Sequence, residues 1–420
     1  MNFLKKYWLY FFSTITLFCF FKYNTEDGIP YDYVSESLMV GRLMESERSG
    51  ILSYSGLPGM LKTDLEDEEF KQNSIIQFKL LENKSERDNY KAFYTYNSQT
   101  GGQGIAYATF NKISPFDLVT NIEILKNLTL LLNAFIFSIF IGWCKRNFGA
   151  IPSLIVLFFI AISSWIWLFA SSLWWCLWAF YIPFSTMLLA LEFFKSNPKK
   201  IFFLTFIGIF LKCFFNGFEY ITTTLIAVYA PIVFYYIKDH KKINDFLLFG
   251  FKTGIVLISG ILVEMFVLLL QLKYLKGSIS EGINHILYSY NTRTASVVIE
   301  GKTAEISNNM YVQILIKYLS GDAFSWIKPS VPFVLLLILI FITSLFLLKI
   351  DFKKHKAIVF TTWFSLIAPL SWFFLFIQHS NIHYHLNFIV WYIPFLPLGF
   401  LCFGILINIF IERFTKSISR

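Results

Sequence analysis

The stretch VPFVLLLILIFITSLFLLKI, at residues 331–350, carries a single charged side chain, Lys349. An α-helix of about 20 apolar residues spans about 30 Å, which is the thickness of the hydrocarbon core of a bilayer. Nine further apolar runs follow the same pattern, at 7–21, 124–143, 150–170, 173–193, 201–216, 220–237, 246–271, 357–378 and 387–411. The sequence therefore predicts an all-α polytopic membrane protein with about ten transmembrane helices.

Composition supports this fold class. The 420 residues are 56% hydrophobic, 20% aromatic and 15% charged, and a soluble domain could not bury so much apolar surface. The net charge of +9 would suit a nucleic-acid partner, but the basic residues lie in short clusters between apolar runs, so we predict none. The five cysteines lie within or beside apolar runs, which argues against a disulfide framework and a cysteine metal site.

The basic clusters alternate along the chain. With the amino terminus inside, the inward links contain Lys145-Arg146, Lys199-Lys200, Lys241-Lys242 and Lys353-Lys354. The short outward links near 171–172, 216–220 and 379–386 contain neither Lys nor Arg. The positive-inside rule then predicts a multi-pass protein of the cell membrane with both termini in the cytoplasm.

This topology divides the chain into five parts. They are a first transmembrane helix at 1–21, an extracytoplasmic loop at 22–122, transmembrane helices 2–7 at 123–271, a second extracytoplasmic loop at 272–330, and helices 8–10 with a cytoplasmic tail at 331–420. The first run is followed by no small-x-small cleavage site, so we interpret it as an uncleaved helix. The first large loop must fold outside the membrane.

The first outer loop opens with an acidic, amphipathic stretch. Asp32 and Glu36 are spaced i, i+4, which places both carboxylates on one helix face if the helix begins at or before Asp32. Gly50 is expected to end the helix. These acids suit either a transferase acting on a lipid-borne substrate or the solvated start of an interfacial helix.

An interfacial helix would divide its side chains between lipid and water. We expect the apolar residues to lie along the membrane surface and the charged ones to lie in water. The apolar set is Leu38, Met39, Leu43 and Met44, and the charged set is Arg42, Glu45 and Arg48.

Unusual polar residues gather on the outer side. Ionisable groups within a bilayer tend to line cavities or to pair with each other. Lys212 could form a structural ion pair with Glu264 or Glu219, or it could bind a lipid phosphate. The predicted substrate-binding residues are Arg42, Gln99, Gln103, Lys212, Glu219, Glu264, His379, His383 and His385.

Two outer segments leave alternatives open. Residues 93–104 alternate aromatic and amide side chains, which suits either sugar binding or an ordinary β-turn region. His379 and His383 have the i, i+4 spacing of metal ligands and His385 could add a third. No acidic residue lies near them in sequence, so hydrogen bonds to phosphate or sugar are favoured over a metal. The acidic run at 64–69 fits a solvated helix face better than a calcium loop.

A resemblance rests on the first outer loop. Ser35-Glu36, Gly41-Arg42-Leu43-Met44-Glu45-Ser46 and Gly50-Ile51-Leu52 resemble this loop in the GT-C type membrane glycosyltransferases, a class that includes protein mannosyltransferases and aminoarabinose transferases. The match covers about 20 residues and is otherwise architectural. It implies that Glu36 holds the second position of an acidic pair. Ser35 stands at the first position, with Asp32 one turn earlier and Glu26-Asp27 as an alternative pair.

The resemblance implies transfer of a sugar from a polyprenyl phosphate to an acceptor at the outer face of the membrane, as part of a cell-envelope glycan. Asp32 or Glu36 would act as the general base. Lys212, the outer histidines, Arg42 or a divalent cation bridging to a carboxylate would hold the phosphate. The expected partners are a lipid-linked sugar donor and membrane lipid. The alternatives are a transporter or flippase of a lipid-linked glycan and a non-catalytic assembly subunit.

Overall fold

The structure is a computed structural model. It describes residues 2–25, 31–62, 70–87, 90, 92–294, 298–299, 302–303, 308–324, 326–327 and 329–418. The alternative acidic pair Glu26-Asp27 and the acidic run at 64–69 lie outside these residues.

The described chain is predominantly helical. Its α-helices are α1 (Asn2–Thr25), α2 (Tyr33–Ser49), α3 (Phe70–Glu82), α4 (Lys84–Arg87), α5 (Gly102–Ile113), α6 (Leu118–Phe148), α7 (Ala150–Ile162), α8 (Ser164–Ala170), α9 (Leu177–Phe193), α10 (Pro198–Asn216), α11 (Ile221–Lys238), α12 (Ile243–Lys276), α13 (Ile279–Thr294), α14 (Asn308–Ser320), α15 (Phe333–Ile350), α16 (Phe352–Ser365), α17 (Ile367–Leu375), α18 (Ile377–Ile382), α19 (Tyr384–Asn387) and α20 (Phe395–Ile418). Two 3₁₀-helices cover Ser53–Gly56 and Phe388–Tyr392.

Sheet is confined to two short antiparallel pairs within the described residues. Strand β1 (Gly59–Lys62) pairs with β2 (Ala92–Thr95), with Gly59 opposite Thr95. Strand β3 (Val298–Ile299) pairs with β4 (Lys302–Thr303). The first pair lies in the first outer loop and packs against α2 and α3.

Several helices have the length and composition of membrane spans, which confirms a multi-pass membrane chain. In the described residues six helical segments qualify: Leu118–Phe148, Ile221–Lys238, Ile243–Lys276, Phe333–Ile350, Phe352–Leu375 and Phe395–Ser417. The bent pair α7 and α8 raises the count to seven, and α9 is a shorter apolar helix. Helix occupies most of each of the ten predicted runs.

The predicted run at 150–170 is broken in the structure. Helices α7 and α8 meet at an angle of 65°. A break inside a membrane frees backbone carbonyls that must find other partners. The indole nitrogen of Trp326 donates to the carbonyl of Ile162 at 2.7 Å, at the end of α7. The segment then turns through residues 171–176 before α9 begins.

Helix α2 is enclosed by protein. Residues 36–46 are all buried, and α2 packs against α3, β1 and α5. The predicted placement of its apolar residues on the membrane surface, and of Arg42 and Glu45 in water, is therefore wrong, whereas Arg48 is exposed as predicted. The reason is that the rest of the loop folds over both faces of the helix. Gly50 ends α2 as predicted, with a φ of 95°.

Close approach to β1 depends on a glycine. A Cβ atom at Gly41 would lie 2.3 Å from the carbonyl oxygen of Gly59 and 2.7 Å from the Cα of Met60. Both are backbone atoms, which cannot rotate away. The absence of a side chain at this position thus allows α2 to contact β1.

We expect Gly41→Ala to destabilise the protein by about 1–3 kcal/mol, because the added methyl group must push α2 away from β1. The matched control is Gly250→Ala in α12, where the nearest atom to the new Cβ is Tyr229 Cε1 at 3.5 Å. Both changes favour helix by about 1 kcal/mol. Thermal unfolding of the detergent-solubilised protein measures the difference. A midpoint for Gly41→Ala at or above that of Gly250→Ala would contradict the close approach.

Candidate functional site

The carboxylate of Glu36 is the anchor of the turn at 171–176. Glu36 is fully buried. Its Oε2 accepts hydrogen bonds from Ser172 Oγ at 2.7 Å and from the backbone N–H of Trp174 at 3.2 Å, and its Oε1 accepts from the N–H of Leu173 at 3.1 Å. The carboxylate therefore satisfies donors of a turn that precedes α9.

Asp32 lies one helical turn before Glu36. It is the N-cap of α2, and its Oδ1 accepts from the N–H of Ser35 at 3.2 Å. Its Oδ2 accepts from the indole nitrogen of Trp175 at 2.8 Å. Asp32 is partly exposed, whereas Glu36 is enclosed. The two predicted catalytic acids thus share one site, but only Asp32 is reached by solvent.

Both acids line a cavity of about 630 Å³, here called the acid cavity. Its volume lies in the range of small-molecule sites, about 300–1,000 Å³. Polar and charged walls come from the end of α1 and the start of α6, and an apolar wall comes from α6 and α8. Besides the two acids, the charged side chains are Lys22, Glu123 and Lys126, the neutral polar ones include Asn24, Thr25 and Asn127, and the apolar ones include Leu130, Trp167 and Leu168.

A second cavity of about 370 Å³, here called the histidine cavity, lies between residues 94–98, α13 and α18. Its lining includes His285, Arg293, His379 and His383. Behind it, Glu219 forms an ion pair with Arg293, with 2.7 Å between Oε1 and Nη2. Arg293 also donates to the hydroxyl of Tyr96 at 3.2 Å. The guanidinium group of Arg293 is therefore already paired with a carboxylate.

The pKa values of the ionisable groups in and behind the histidine cavity depend on one another. Burial raises the pKa of Glu219, but the surrounding positive charge, chiefly that of Arg293, outweighs this, so its pKa lies below the usual value. Burial lowers the pKa of Arg293, but Glu219 and Tyr96 raise it more. Burial lowers the pKa of His379 to about 3, although Glu219 opposes this, and burial also lowers the pKa of His383. Both imidazoles are therefore neutral at neutral pH.

Two consecutive tryptophans contact the acids of the first cavity, and one of them, Trp174, also contacts Tyr96 of the histidine cavity. Trp174 packs edge-on against Tyr96, with 5.2 Å between ring centroids. Trp175 stacks on Tyr220 with 5.6 Å between centroids and 11° between planes, directly after Glu219. Asp32 is close enough to exert an electrostatic effect on His383. Asp32 thus lies in the acid cavity near its boundary with the histidine cavity.

Seven of the nine predicted binding residues line neither cavity: Arg42, Gln99, Gln103, Lys212, Glu219, Glu264 and His385. All of them except His385 are buried. Arg42 donates to the carbonyls of Gly50, Ile51 and Ser53, and so supports the turn after α2. Gln99 packs against Gly217, where an added Cβ would meet it at 2.4 Å.

The side chain of Lys212 has a structural role. Its ammonium group donates to the main-chain carbonyls of Gly217 at 2.8 Å and Glu219 at 2.5 Å. It therefore holds the turn between α10 and α11 rather than forming an ion pair with the carboxylate of Glu219. Neither oxygen of Glu264 has a hydrogen-bond partner among the described residues, and the same holds for the amide of Gln103.

Among the predicted outer residues, His379 and His383 line the histidine cavity and Glu219 stands behind it. The ring of His379 lies 4.6 Å from that of His383. The carbonyl of His385 accepts a hydrogen bond from Tyr31. Sequence reasoning missed Lys22, Lys126, Trp175 and Arg293. The only local signal for the lysines was their position at the outer ends of apolar runs.

The residues do not fit a bound divalent cation. The part of the chain that the structure describes contains no group of three or more His, Cys, Asp or Glu residues placed to hold a metal. Each carboxylate oxygen of Asp32 already accepts a hydrogen bond, from Ser35 or Trp175. We therefore assign no step to a metal.

Comparison with family models, with curated proteins and with solved structures finds no significant match to this chain. The site is therefore interpreted from its geometry.

The two acids should differ in their effect on stability. We expect Glu36→Gln to lower the free energy of unfolding by about 2–4 kcal/mol, because an amide turns one acceptor into a donor that faces other donors. Asp32→Asn should cost less, because Asn is an equally good N-cap and only one donor, the indole N–H of Trp175, would then face the amide N–H₂ at a partly exposed position. Thermal unfolding of both detergent-solubilised variants tests this. Equal midpoints, or a less stable Asp32→Asn, would contradict the anchoring role of Glu36.

Proposed function

We propose that the protein is a GT-C type glycosyltransferase that moves a sugar from a polyprenyl-phosphate donor to an acceptor at the outer face of the membrane, in the assembly of a cell-envelope glycan. The supporting observation is the acid cavity. It brings together the accessible carboxylates of Asp32 and Glu123, two lysines, Lys22 and Lys126, and an apolar wall on a membrane helix bundle. These are the groups that a charged lipid-linked sugar requires.

Asp32 is the proposed general base. Its carboxylate takes the proton from an acceptor hydroxyl or amine, whose oxygen or nitrogen attacks the anomeric carbon of the donor. The bond between that carbon and the phosphate oxygen breaks, and the polyprenyl phosphate leaves with the electron pair through an oxocarbenium-like transition state. Trp175 orients Asp32 through its indole N–H. Glu36 is a positioning residue, because its oxygens are engaged by the turn at 172–174.

The proposed phosphate ligands are Lys22 and Lys126. They line the acid cavity with the acids, whereas Lys212 and Arg42 line neither cavity. Ammonium groups form charge-assisted hydrogen bonds with phosphate. The prenyl chain would lie against Leu130, Trp167 and Leu168, on the side of the cavity formed by α6 and α8.

The proposed topology has ten spans with both termini in the cytoplasm. In this arrangement α1, α9 and α10 add to the six long apolar segments and to the bent pair. The distribution of Lys and Arg supports it, because the basic clusters fall on one side. The acid cavity then faces outward.

Labelling with a membrane-impermeant maleimide tests this topology. In a Cys19→Ser background, which removes the one cysteine that is exposed, we expect Tyr94→Cys to be labelled in intact cells and Lys241→Cys only after lysis. Both positions are exposed in the structure. Labelling of Lys241→Cys in intact cells, with Tyr94→Cys protected, would invert the topology and remove the proposed outer-face reaction.

Asp32→Asn should abolish transfer without unfolding the protein, because an amide cannot accept the acceptor proton. The matched control is Ser35→Ala, which keeps the backbone N–H that caps Asp32 and should retain activity. Lipid-linked sugars extracted from membranes are supplied to proteoliposomes that contain each variant. Free polyprenyl phosphate, measured by mass spectrometry, should fall at least a hundredfold with Asp32→Asn.

The same assay separates the alternatives. Wild-type release of polyprenyl phosphate by Asp32→Asn would reject Asp32 as the base. Movement of the intact lipid across the bilayer, with no free polyprenyl phosphate from the wild-type protein, would replace the transferase with a flippase. Neither product nor movement would favour a non-catalytic subunit.

A further inference from the structure

The histidine cavity has no role in the donor chemistry described above, yet it is a defined recess with walls from three separate segments. Residues 94–98 form one wall, α13 the second and α18 the third. We propose that it binds a neutral, polyhydroxylated ligand, namely a sugar unit of the acceptor glycan. Its assignment to the acceptor rests on the proposed function, whereas sugar binding itself does not.

The polar composition of the walls suits hydroxyl groups. Hydroxyls and amides are supplied by Thr95, Asn97, Ser98, Ser289 and Thr292. Each of these groups can donate and accept, as sugar hydroxyls do. Hydrogen bonds from such groups, held in fixed positions on the walls, would determine the orientation of a bound sugar ring.

The charge of the walls argues against phosphate as the ligand. Arg293 is the one lysine or arginine among the described lining residues, and it is already paired with Glu219 and bonded to Tyr96. The imidazoles of His379 and His383 are neutral because burial lowers the pKa of each group. The cavity therefore offers hydrogen bonds but no uncompensated positive charge.

Several polar atoms of these walls remain unsatisfied. The Nε2 of His285, the Oδ1 of Asn97 and the Nδ1 of His379 are buried and have no hydrogen-bond partner among the described residues. Buried polar groups in folded proteins are nearly always hydrogen-bonded. All three belong to residues that line the cavity, so small shifts on binding would let a hydroxyl-rich ligand engage them.

Aromatic rings complete the site. Tyr94 is 58% exposed and Tyr288 is 65% exposed, and both line the cavity. Exposed tyrosines present a flat apolar face with a polar end, which matches the apolar face of a pyranose ring and its hydroxyl edge. They come from opposite walls, β2 and α13.

The position of the cavity suits the acceptor. Tyr96 lies against the tryptophan pair that binds Glu36 and Asp32. Asp32 exerts an electrostatic effect on His383, which lines the histidine cavity, so a glycan held there would have its terminal hydroxyl near the proposed base. The donor would approach the same carboxylate from the acid cavity.

Ligand-detected NMR on the full-length protein in detergent tests this site. The probes are the methyl glycosides of glucose, galactose, mannose and N-acetylglucosamine, with inorganic phosphate as the charged competitor. We expect saturation transfer to at least one glycoside. Tyr288→Ala should raise its Kd at least fivefold, and phosphate at equal concentration should not displace it.

The matched control is Tyr290→Ala. Tyr290 is 58% exposed on the same helix but does not line the cavity, so its loss should leave the Kd unchanged. The proposal is overturned if no glycoside binds, if both tyrosine variants bind as the wild type does, or if phosphate displaces the sugar.

The Asp32→Asn variant separates this inference from the proposed function. Asp32 does not line the histidine cavity, so glycoside binding should survive that change. Retained binding by a protein that never releases polyprenyl phosphate would reject the transferase but keep the sugar site. Transferase activity with no glycoside binding would reject the sugar site but keep the transferase.

Discussion

The structure depends on the buried carboxylate of Glu36, which lies against the turn between helices α8 and α9. Between α8 and α9 the chain turns, and the N–H groups of a turn have no helical partner. In a membrane protein such groups must be satisfied by other protein atoms. Glu36 accepts hydrogen bonds from Ser172, Leu173 and Trp174. This contact attaches α2 to the helix bundle and places the neighbouring Asp32 in the lining of a cavity.

The anchoring of Glu36 divides the roles of two acids that look alike in sequence. A carboxylate that is fully buried and accepts three hydrogen bonds is unsuited to receive a substrate proton. Asp32 is one helical turn earlier and partly exposed, and Trp175 controls its orientation. The same tryptophan stacks on Tyr220, which directly follows Glu219 in the chain. Donor and acceptor sites that both contact one tryptophan pair would therefore meet at a single carboxylate.

Much of the fold could be predicted because its signals are local. Hydropathy identified the runs that became membrane-length helices, and Gly50 marked the end of α2. The outward gathering of His379 and His383 also led to residues that line a common cavity. The environment of α2 could not be predicted, because its pattern suits a membrane surface as well as a buried helix. What decides between them is the packing of α3, α5 and β1 around it.

The sequence by itself determined that this is a multi-pass helical membrane protein with two acids at the start of α2, since hydropathy and helix signals act over a few residues. Only the tertiary structure decided which acid is accessible and which lysines lie near it. The bonds that decide this join Asp32 and Glu36 to residues 136 to 143 positions away. Lys212 lies within an apolar run, but its ammonium group donates hydrogen bonds to backbone carbonyls of the turn that follows α10. A buried charge requires such partners, and only the folded chain shows which ones are close enough.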